Sequence, residues 1–339
     1  MTVRLARPPL FVYAAPSGLE PTRSEFFRVM GERPVDMFDP EGDWPEQFAG
    51  RRAVVDLGGW GRREHTAVAV DAGVELWHVL GYGLDHLDLE FLLINGVTVA
   101  HTPGSCSAVA LAEHAMLLML ACVRRIKELF SNLADGVFYY PWTNELAGGR
   151  LLLLGVGASG RELARRASAF GMEVVGVDTL IADQRTYSEV GVETVKSPQE
   201  LPELLGTADV VSLHLPLNMQ TRHIIDRAAL ARFKPGATLV NVARGALVDE
   251  QALLHALEDG TIGAAGLDVF EREPPSFNPQ LAGHPRVVAT PHTAGATYET
   301  IQRRSQLVLE NLMRLEQGAK IEFTVSIEDG FVSGDEPKR

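Results

Sequence analysis

Three short segments place ionisable residues just after apolar, strand-like runs. They are Asn241-Val242-Ala243-Arg244-Gly245, Asp268-Val269-Phe270-Glu271-Arg272-Glu273-Pro274 and Thr290-Pro291-His292-Thr293-Ala294-Gly295. A guanidinium such as that of Arg244 can clamp a carboxylate through two parallel hydrogen bonds, fixing orientation as well as charge. A histidine titrates near neutral pH, and a neighbouring carboxylate favours its charged form. His292 assisted by Glu273 can therefore protonate a carbonyl oxygen and, in reverse, remove a hydroxyl proton. Taken singly, each residue also has a plain reading: Arg244 as a surface arginine in a turn, His292 as a loop histidine, Glu273 as a solvated charge. With a dinucleotide nearby, the set suffices for reversible oxidation of a 2-hydroxy acid.

The dinucleotide signal is the glycine turn Gly155-Val156-Gly157-Ala158-Ser159-Gly160. The apolar run Leu151–Leu154 leads straight into it, and a helical pattern follows from Arg161. The first glycine permits the tight turn, the second lets backbone approach a pyrophosphate, and the third lets the helix pack closely on the strand. The free amides at the helix N-terminus, Ala158 and Ser159 included, then face the phosphates. Asp178 ends the next apolar run, where a carboxylate accepts hydrogen bonds from ribose hydroxyls and repels a 2′-phosphate. No arginine stands in Thr179-Leu180-Ile181 to hold such a phosphate, so NAD is expected over NADP.

These residues need a scaffold, and at 339 residues two domains are expected rather than one. Apolar runs at Ala53–Leu57, Glu75–Leu80, Val97–Ala100, Leu151–Leu154, Val174–Val177, Val210–His214, Thr238–Val242 and Gly263–Asp268 alternate with helical patterns. They are apolar throughout rather than at every second residue, as in a parallel sheet buried on both faces. A first strand is expected within Leu10–Ala15. Tyr139-Tyr140-Pro141-Trp142 and Gly148-Gly149 interrupt the patterns within Asp135–Arg150, which separates the halves. The division is 1–118 with 296–339 for a discontinuous substrate domain, and 119–295 for the nucleotide-binding domain. A long helical pattern, Ala296–Gln317, carries the chain back to the first domain, and the polar residues Gly330–Arg339 are expected to be loose.

A net charge of −13 argues against a nucleic-acid backbone or an anionic membrane as partner. Ala108–Val123, the most apolar segment, contains Glu113 and His114, is too short to span a bilayer, and reads as a buried helix. Only Cys106 and Cys122 are present, with neither metal-ligand spacing nor a disulfide framework; a reducing cytoplasm and no metal are expected.

The chain resembles the D-isomer-specific 2-hydroxyacid dehydrogenase family, most densely from Leu151 to Thr297. Val242-Ala243-Arg244-Gly245-Ala246-Leu247-Val248-Asp249-Glu250, Gly266-Leu267-Asp268-Val269-Phe270 and His214-Leu215-Pro216-Leu217 with Thr221 carry the likeness. The resemblance implies two Rossmann-like, doubly wound parallel-sheet domains with the active site in the cleft between them. It implies that Arg244 binds substrate, Glu273 tunes the histidine and His292 is the proton donor. Leu215, Pro216, Thr221, Val242, Ala243 and Asp268 would lie along the cofactor, Asp268 at its nicotinamide end.

In the first domain, Gly81-Tyr82-Gly83 resembles the family's glycine loop, whose amides hold the substrate carboxylate. Pro103-Gly104 and Ala112-Glu113-His114 resemble the next segment, which leads into the helix that packs the family's dimers, so a homodimer is implied. There Ser107 replaces a common asparagine with the spacing one residue long, and His114 reads as a packed helix residue rather than a catalytic one. Formate dehydrogenases of this superfamily carry glutamine where Glu273 stands, so the glutamate points to a keto–hydroxy couple. The phosphoglycerate branch usually shows basic and hydroxyl residues after the second strand. Leu57-Gly58-Gly59-Trp60-Gly61 does not, and the length leaves little for an appended regulatory domain. Trp60, Tyr82 and Trp142 read equally as pocket or core. The rival reading is a binding protein resembling the C-terminal-binding-protein corepressors, in which NAD promotes assembly.

Overall fold

A computed structural model describes residues 7–12, 20–57, 61–181, 184–273 and 278–326. Trp60, Pro274, the end of the Leu10–Ala15 run and the tail Gly330–Arg339 lie outside the described residues. The chain forms two compact units, Met1–Cys106 with Ala296–Arg339, and Ser107–Gly295.

The first unit contains β1 (Leu10–Val12), β2 (Asp36–Met37), β3 (Ala53–Asp56), β4 (Leu76–Val79) and β5 (Thr98–His101) in a parallel sheet of order β2-β1-β3-β4-β5. One face packs on the helix Tyr298–Gln317, whose Ile301, Val308 and Leu312 join Phe11, Phe26 and Val55 in one core. Thr297 caps this helix by accepting from the Thr300 amide, and Gly318 ends it in the left-handed conformation. The return expected near residue 296 is thus a long amphipathic helix closing the first core.

The second unit contains β6 (Arg150–Leu154), β7 (Glu173–Val177), β8 (Thr194–Lys196), β9 (Val210–Leu213), β10 (Ala237–Asn241), β11 (Ile262–Leu267) and β12 (Val287–Ala289). They form one parallel sheet of order β12-β11-β10-β9-β6-β7-β8. The direction of winding reverses between β6 and β9, the topological switch point at which doubly wound sheets bind ligands. The expected runs all became strands. β2, β8 and β12 lie outside those runs: all three are edge strands of two or three residues, too brief to show a pattern.

The division differs from the expected one. Contacts separate the units at 106/107 rather than 118/119, a point inside the helix Ala108–Val123. Ala112, Ala115, Met116, Leu118 and Met119 of that helix are buried with Leu151, Leu153 and Val174, so apolar burial ties the whole helix to the seven-stranded sheet. The segment Asp135–Arg150 is accordingly a connection within the second unit. Among the described residues no helix is long and apolar enough to cross a membrane, and no group of three or more His, Cys, Asp or Glu is placed to hold a metal.

Candidate functional site

Strand register sets the site. Lys196, Val177, Leu154, Leu213, Asn241, Leu267 and Ala289 are matched in sequence across the whole second sheet. The residues just beyond this row are therefore Gly155, Asp178, His214, Val242, Asp268 and Thr290. Every segment singled out for its chemistry in this unit leaves the sheet at that one edge, the carboxyl end of the strands.

At the switch point, Gly155 has φ +95°, and a Cβ there would lie 2.5 Å from the His214 carbonyl oxygen. A Cβ on Gly160 would lie 2.2 Å from the Gly155 carbonyl oxygen, so the helix Ala158–Ala169 approaches the turn as closely as backbone allows. At Gly157 a Cβ would meet no protein atom within 4 Å: its position faces open space at the helix N-terminus. Two glycines thus serve the protein's own packing and one leaves room for a ligand, as a pyrophosphate cradle requires. Asp178 accepts from the Val156 amide at 2.8 Å and the Leu180 amide at 3.0 Å. A carboxylate has lone pairs for further donors, so a ribose remains a fitting partner.

The segment after β9 supports this turn. His214 Nδ1 pairs with Ser159 Oγ and its Nε2 with Ser212 Oγ, both at 3.0 Å. Burial holds the His214 ring neutral, pushed down to about 4. Leu215 lies against Gly155. Thr221 donates to the Pro216 carbonyl at 2.7 Å and accepts from the Asn218 amide at 2.9 Å, closing the loop that carries Pro216.

After β10, the buried Asn241 accepts from the Ala243 amide at 3.0 Å and donates to the Arg244 carbonyl at 2.8 Å, folding the turn that presents Arg244. The Arg244 guanidinium also donates to the Ala243 carbonyl at 2.9 Å. Val242 is buried, packed in one cluster with Val156 and Ala294, while Ala243 is half-buried. A Cβ on Gly245 would lie 1.8 Å from the Phe270 carbonyl carbon, so glycine is what lets the arginine turn abut the Phe270–Glu271 backbone. The buried Glu250 carboxyl, raised by burial, accepts from the Glu271 amide at 2.7 Å. His223 pairs with the Glu271 side chain.

Glu273 and His292 meet directly, Nδ1 to Oε2 at 2.7 Å, with their side chains 48% and 36% exposed for histidine and glutamate respectively. This pairing commits Nδ1 and leaves Nε2 as the outward nitrogen. His292 has φ +54°, a conformation costly for a residue with a Cβ. Asp268 holds it there. Its carbonyl accepts from the His292 amide at 2.7 Å, and its fully buried carboxylate accepts from the Thr293 and Ala294 amides at 2.8 Å each. Thr290 Oγ1 donates to the same carboxylate at 2.6 Å. In this geometry Asp268 is first of all the anchor of the histidine loop.

His114 belongs to this anchor, at 2.8 Å from Thr290 Oγ1. On sequence alone His114 reads as a packed helix residue, and Asn241 and Glu250 carry no role. A histidine on an apolar helix carries no local mark of what it meets 176 residues later.

In the first unit, Gly81, Tyr82 and Gly83 follow β4 at the carboxyl end of its sheet. The His101 ring lies beside Tyr82, Nδ1 at 3.2 Å from the Tyr82 carbonyl. Just beyond, His86 and the Trp77 indole both pair with the buried Asp56, at 3.0 and 3.1 Å, pinning the loop to β3. Trp142, in the second unit, is 90% exposed and is no core residue.

The sequence profile of the D-isomer specific 2-hydroxyacid dehydrogenase NAD binding domain matches residues 116–294. A hydroxypyruvate reductase of Thermotoga maritima is 39% identical over 255 residues, 74% of this chain and 80% of that protein. A D-3-phosphoglycerate dehydrogenase of Methanocaldococcus jannaschii is 38% identical over 73% of this chain, which spans only 46% of its length. Among solved structures, a D-lactate dehydrogenase of Aquifex aeolicus complexed with NAD and lactic acid superposes with a TM-score of 0.79 at 26% identity, covering 96% of this chain and 99% of that one.

Proposed function

Because the chain belongs to the D-isomer specific 2-hydroxyacid dehydrogenase family, we propose that it interconverts a 2-keto acid and a D-2-hydroxy acid with NAD as its cofactor. The observation that carries this reading is the 2.7 Å pair of Glu273 with His292, held one strand from the arginine turn. When bound, the nicotinamide supplies the hydride for reduction and accepts it in oxidation.

Arg244 binds the substrate through its carboxylate and carbonyl oxygens, fixing the carbonyl carbon. His292 delivers a proton from Nε2 to the carbonyl oxygen as charge develops there, and removes it in the reverse direction. Glu273 orients the ring through its 2.7 Å contact with Nδ1. Gly81, Tyr82 and Gly83 hold the substrate carboxylate by their amides. Gly155, Gly157, Ala158, Ser159 and Gly160 receive the pyrophosphate, and Asp178 the ribose, excluding a 2′-phosphate. Leu215, Pro216, Thr221, Val242 and Ala243 line the cofactor. Asp268 reaches its nicotinamide end while anchoring the histidine loop. The relatives are named as dehydrogenases and reductases, which favours this reading over an NAD-responsive binding protein.

The test is loss of NADH absorbance with a panel from glyoxylate and hydroxypyruvate to pyruvate and phenylpyruvate, with NADPH in parallel. Turnover that disappears in Arg244→Ala while NADH still binds supports the assignment. Turnover unchanged in that variant removes Arg244 from the site.

A homodimer formed through the second unit belongs to the same proposal. The helix Ile126–Ala134 buries none of its residues, and Phe130, Leu133, Phe138, Tyr139, Tyr140 and Trp142 are all exposed within one short stretch. So many exposed large apolar side chains close together in sequence mark an interface, and a second copy of the chain is its simplest occupant. Sedimentation of Phe138→Glu/Trp142→Glu as monomer, with the parent chain a dimer, is the expected result. Cys106 and Cys122 are both free thiols, consistent with a reducing cytoplasm.

A further inference from the structure

We propose that His114 is a positioning residue for His292, acting through Thr290 and Asp268. This rests on the proton-donor reading of His292. The chain of hydrogen bonds has a fixed direction. The Asp268 carboxylate already accepts two backbone amides and can only accept, so the Thr290 hydroxyl must give it its one hydrogen, at 2.6 Å. Thr290 Oγ1 is then an acceptor toward His114, 2.8 Å away, and His114 Nε2 must carry the hydrogen. The same nitrogen lies 3.4 Å from Asp268 Oδ1.

His114 is well placed to impose this order. Its side chain is 15% exposed, and its helix packs on β10, β11 and β12, with Leu118 so close to Gly266 that a Cβ there would lie 2.8 Å from it. The helix therefore supplies a rigid donor from behind the sheet edge. Thr290 cannot swing its hydroxyl away from Asp268 without giving up the 2.8 Å bond from His114 Nε2–H, which then has only the long 3.4 Å approach to Asp268 Oδ1, a costly exchange at such a site. With Thr290 held, the next turn of chain, His292 at φ +54° included, is held by the Asp268 carbonyl and carboxylate. Loss of the His114 donor frees the threonine rotamer and lets the His292 backbone relax out of the left-handed region.

The experiment compares His114→Leu, His114→Gln, Thr290→Val and the Leu/Val double variant by keto-acid kinetics, NADH fluorescence titration and thermal melting. A crystal structure of His114→Leu completes the set. A displaced proton donor costs about tenfold to hundredfold in kcat. That loss is expected in His114→Leu and Thr290→Val, no larger in the double variant, and mostly restored in His114→Gln, whose amide keeps a donor. NADH affinity is expected to stay close to the parent value throughout, melting temperature to stay so in His114→Leu and His114→Gln but to fall in Thr290→Val, which strips both His114 and Asp268 of a partner, and His292 to leave positive φ in the crystal. Parent-like kcat in His114→Leu, additive losses, or a loss that Gln does not restore and that tracks melting overturns the proposal. If the parent chain reduces no keto acid, the proton-donor reading fails by itself; the His292 backbone in the His114→Leu crystal still decides the positioning claim.

Discussion

At the residue scale the reading turns on geometry that two conservative substitutions separate from charge. Arg244→Lys keeps the cation and loses the planar fork, so the KM for the keto acid is expected to rise by about tenfold to hundredfold, the worth of a charged hydrogen bond. Steady-state kinetics at saturating NADH measures it, and a parent-like KM would exclude bidentate binding. Glu273→Gln keeps the shape opposite His292 Nδ1 and removes the negative charge 2.7 Å away. The kcat for reduction is therefore expected to fall by about tenfold, because the ring loses the partner that orients Nε2 toward the carbonyl oxygen. A parent-like kcat would show that the pair is decorative, as many exposed ion pairs are. Both residue types were visible in the sequence, because chemistry limits which side chains can clamp a carboxylate or move a proton. The pairing of Glu273 with His292 is expected from the pattern of the three segments taken together, not from local spacing: the two are 19 residues apart, with the helix Pro279–Gly283 and β12 between them.

At the element scale, the strand–turn–helix unit from Arg150 to Ala169 was legible nearly to the residue. Backbone contact demands the first and third glycines, and open space distinguishes the second. A methyl on Gly157 enters open space, whereas one on Gly160 meets the Gly155 carbonyl at 2.2 Å. Gly157→Ala should therefore leave the melting temperature unchanged and raise the NADH Kd by about tenfold or more, by blocking the phosphate approach. Gly160→Ala should instead destabilise the fold by about 1–3 kcal/mol through overpacking. Thermal melting and NADH titration on the two variants distinguish these outcomes; equal losses of stability would remove Gly157 from the cofactor cradle. The helix Ala108–Val123 was recognised as buried, yet its allegiance was not. Its apolar faces suit any sheet, and only contact with Leu151, Leu153 and Val174 assigns it to the second unit.

At the scale of the whole molecule, burial makes stability depend on pH. His78 is fully buried, donating from Nδ1 to the Val79 carbonyl and accepting at Nε2 from Asn311 on the long closing helix. A proton on Nε2 would set two donors against each other, and burial pushes the ring down to about 4. The folded value lies below the ordinary one of about 6.5, so the unfolded chain takes up the proton first. Stability from this residue is thus complete above about pH 6.5 and lost as pH falls toward 4, up to about 3 kcal/mol. Urea unfolding between pH 7 and 4 should show that slope, reduced in His78→Gln. His214, also pushed down to about 4 by burial, adds a parallel loss in the second unit. An unchanged slope in His78→Gln would mean the ring is solvated.

Legible in the sequence alone were most of the strands, the parallel sheets, the glycine turn, the aspartate that ends the next strand, and residue types able to clamp a carboxylate or move a proton. These are local matters: apolar runs, turns that tolerate only glycine, and side chains with few chemical substitutes. Only the tertiary structure decided the division at residue 106, the register row that brings Gly155, Asp178, Asp268 and Thr290 to one edge, and the anchoring of His292 by Asp268, Thr290 and His114. Each of these depends on contacts between segments tens to more than a hundred residues apart. Such contacts are fixed by packing and hydrogen-bond satisfaction in the folded chain, and leave no mark in the neighbouring sequence.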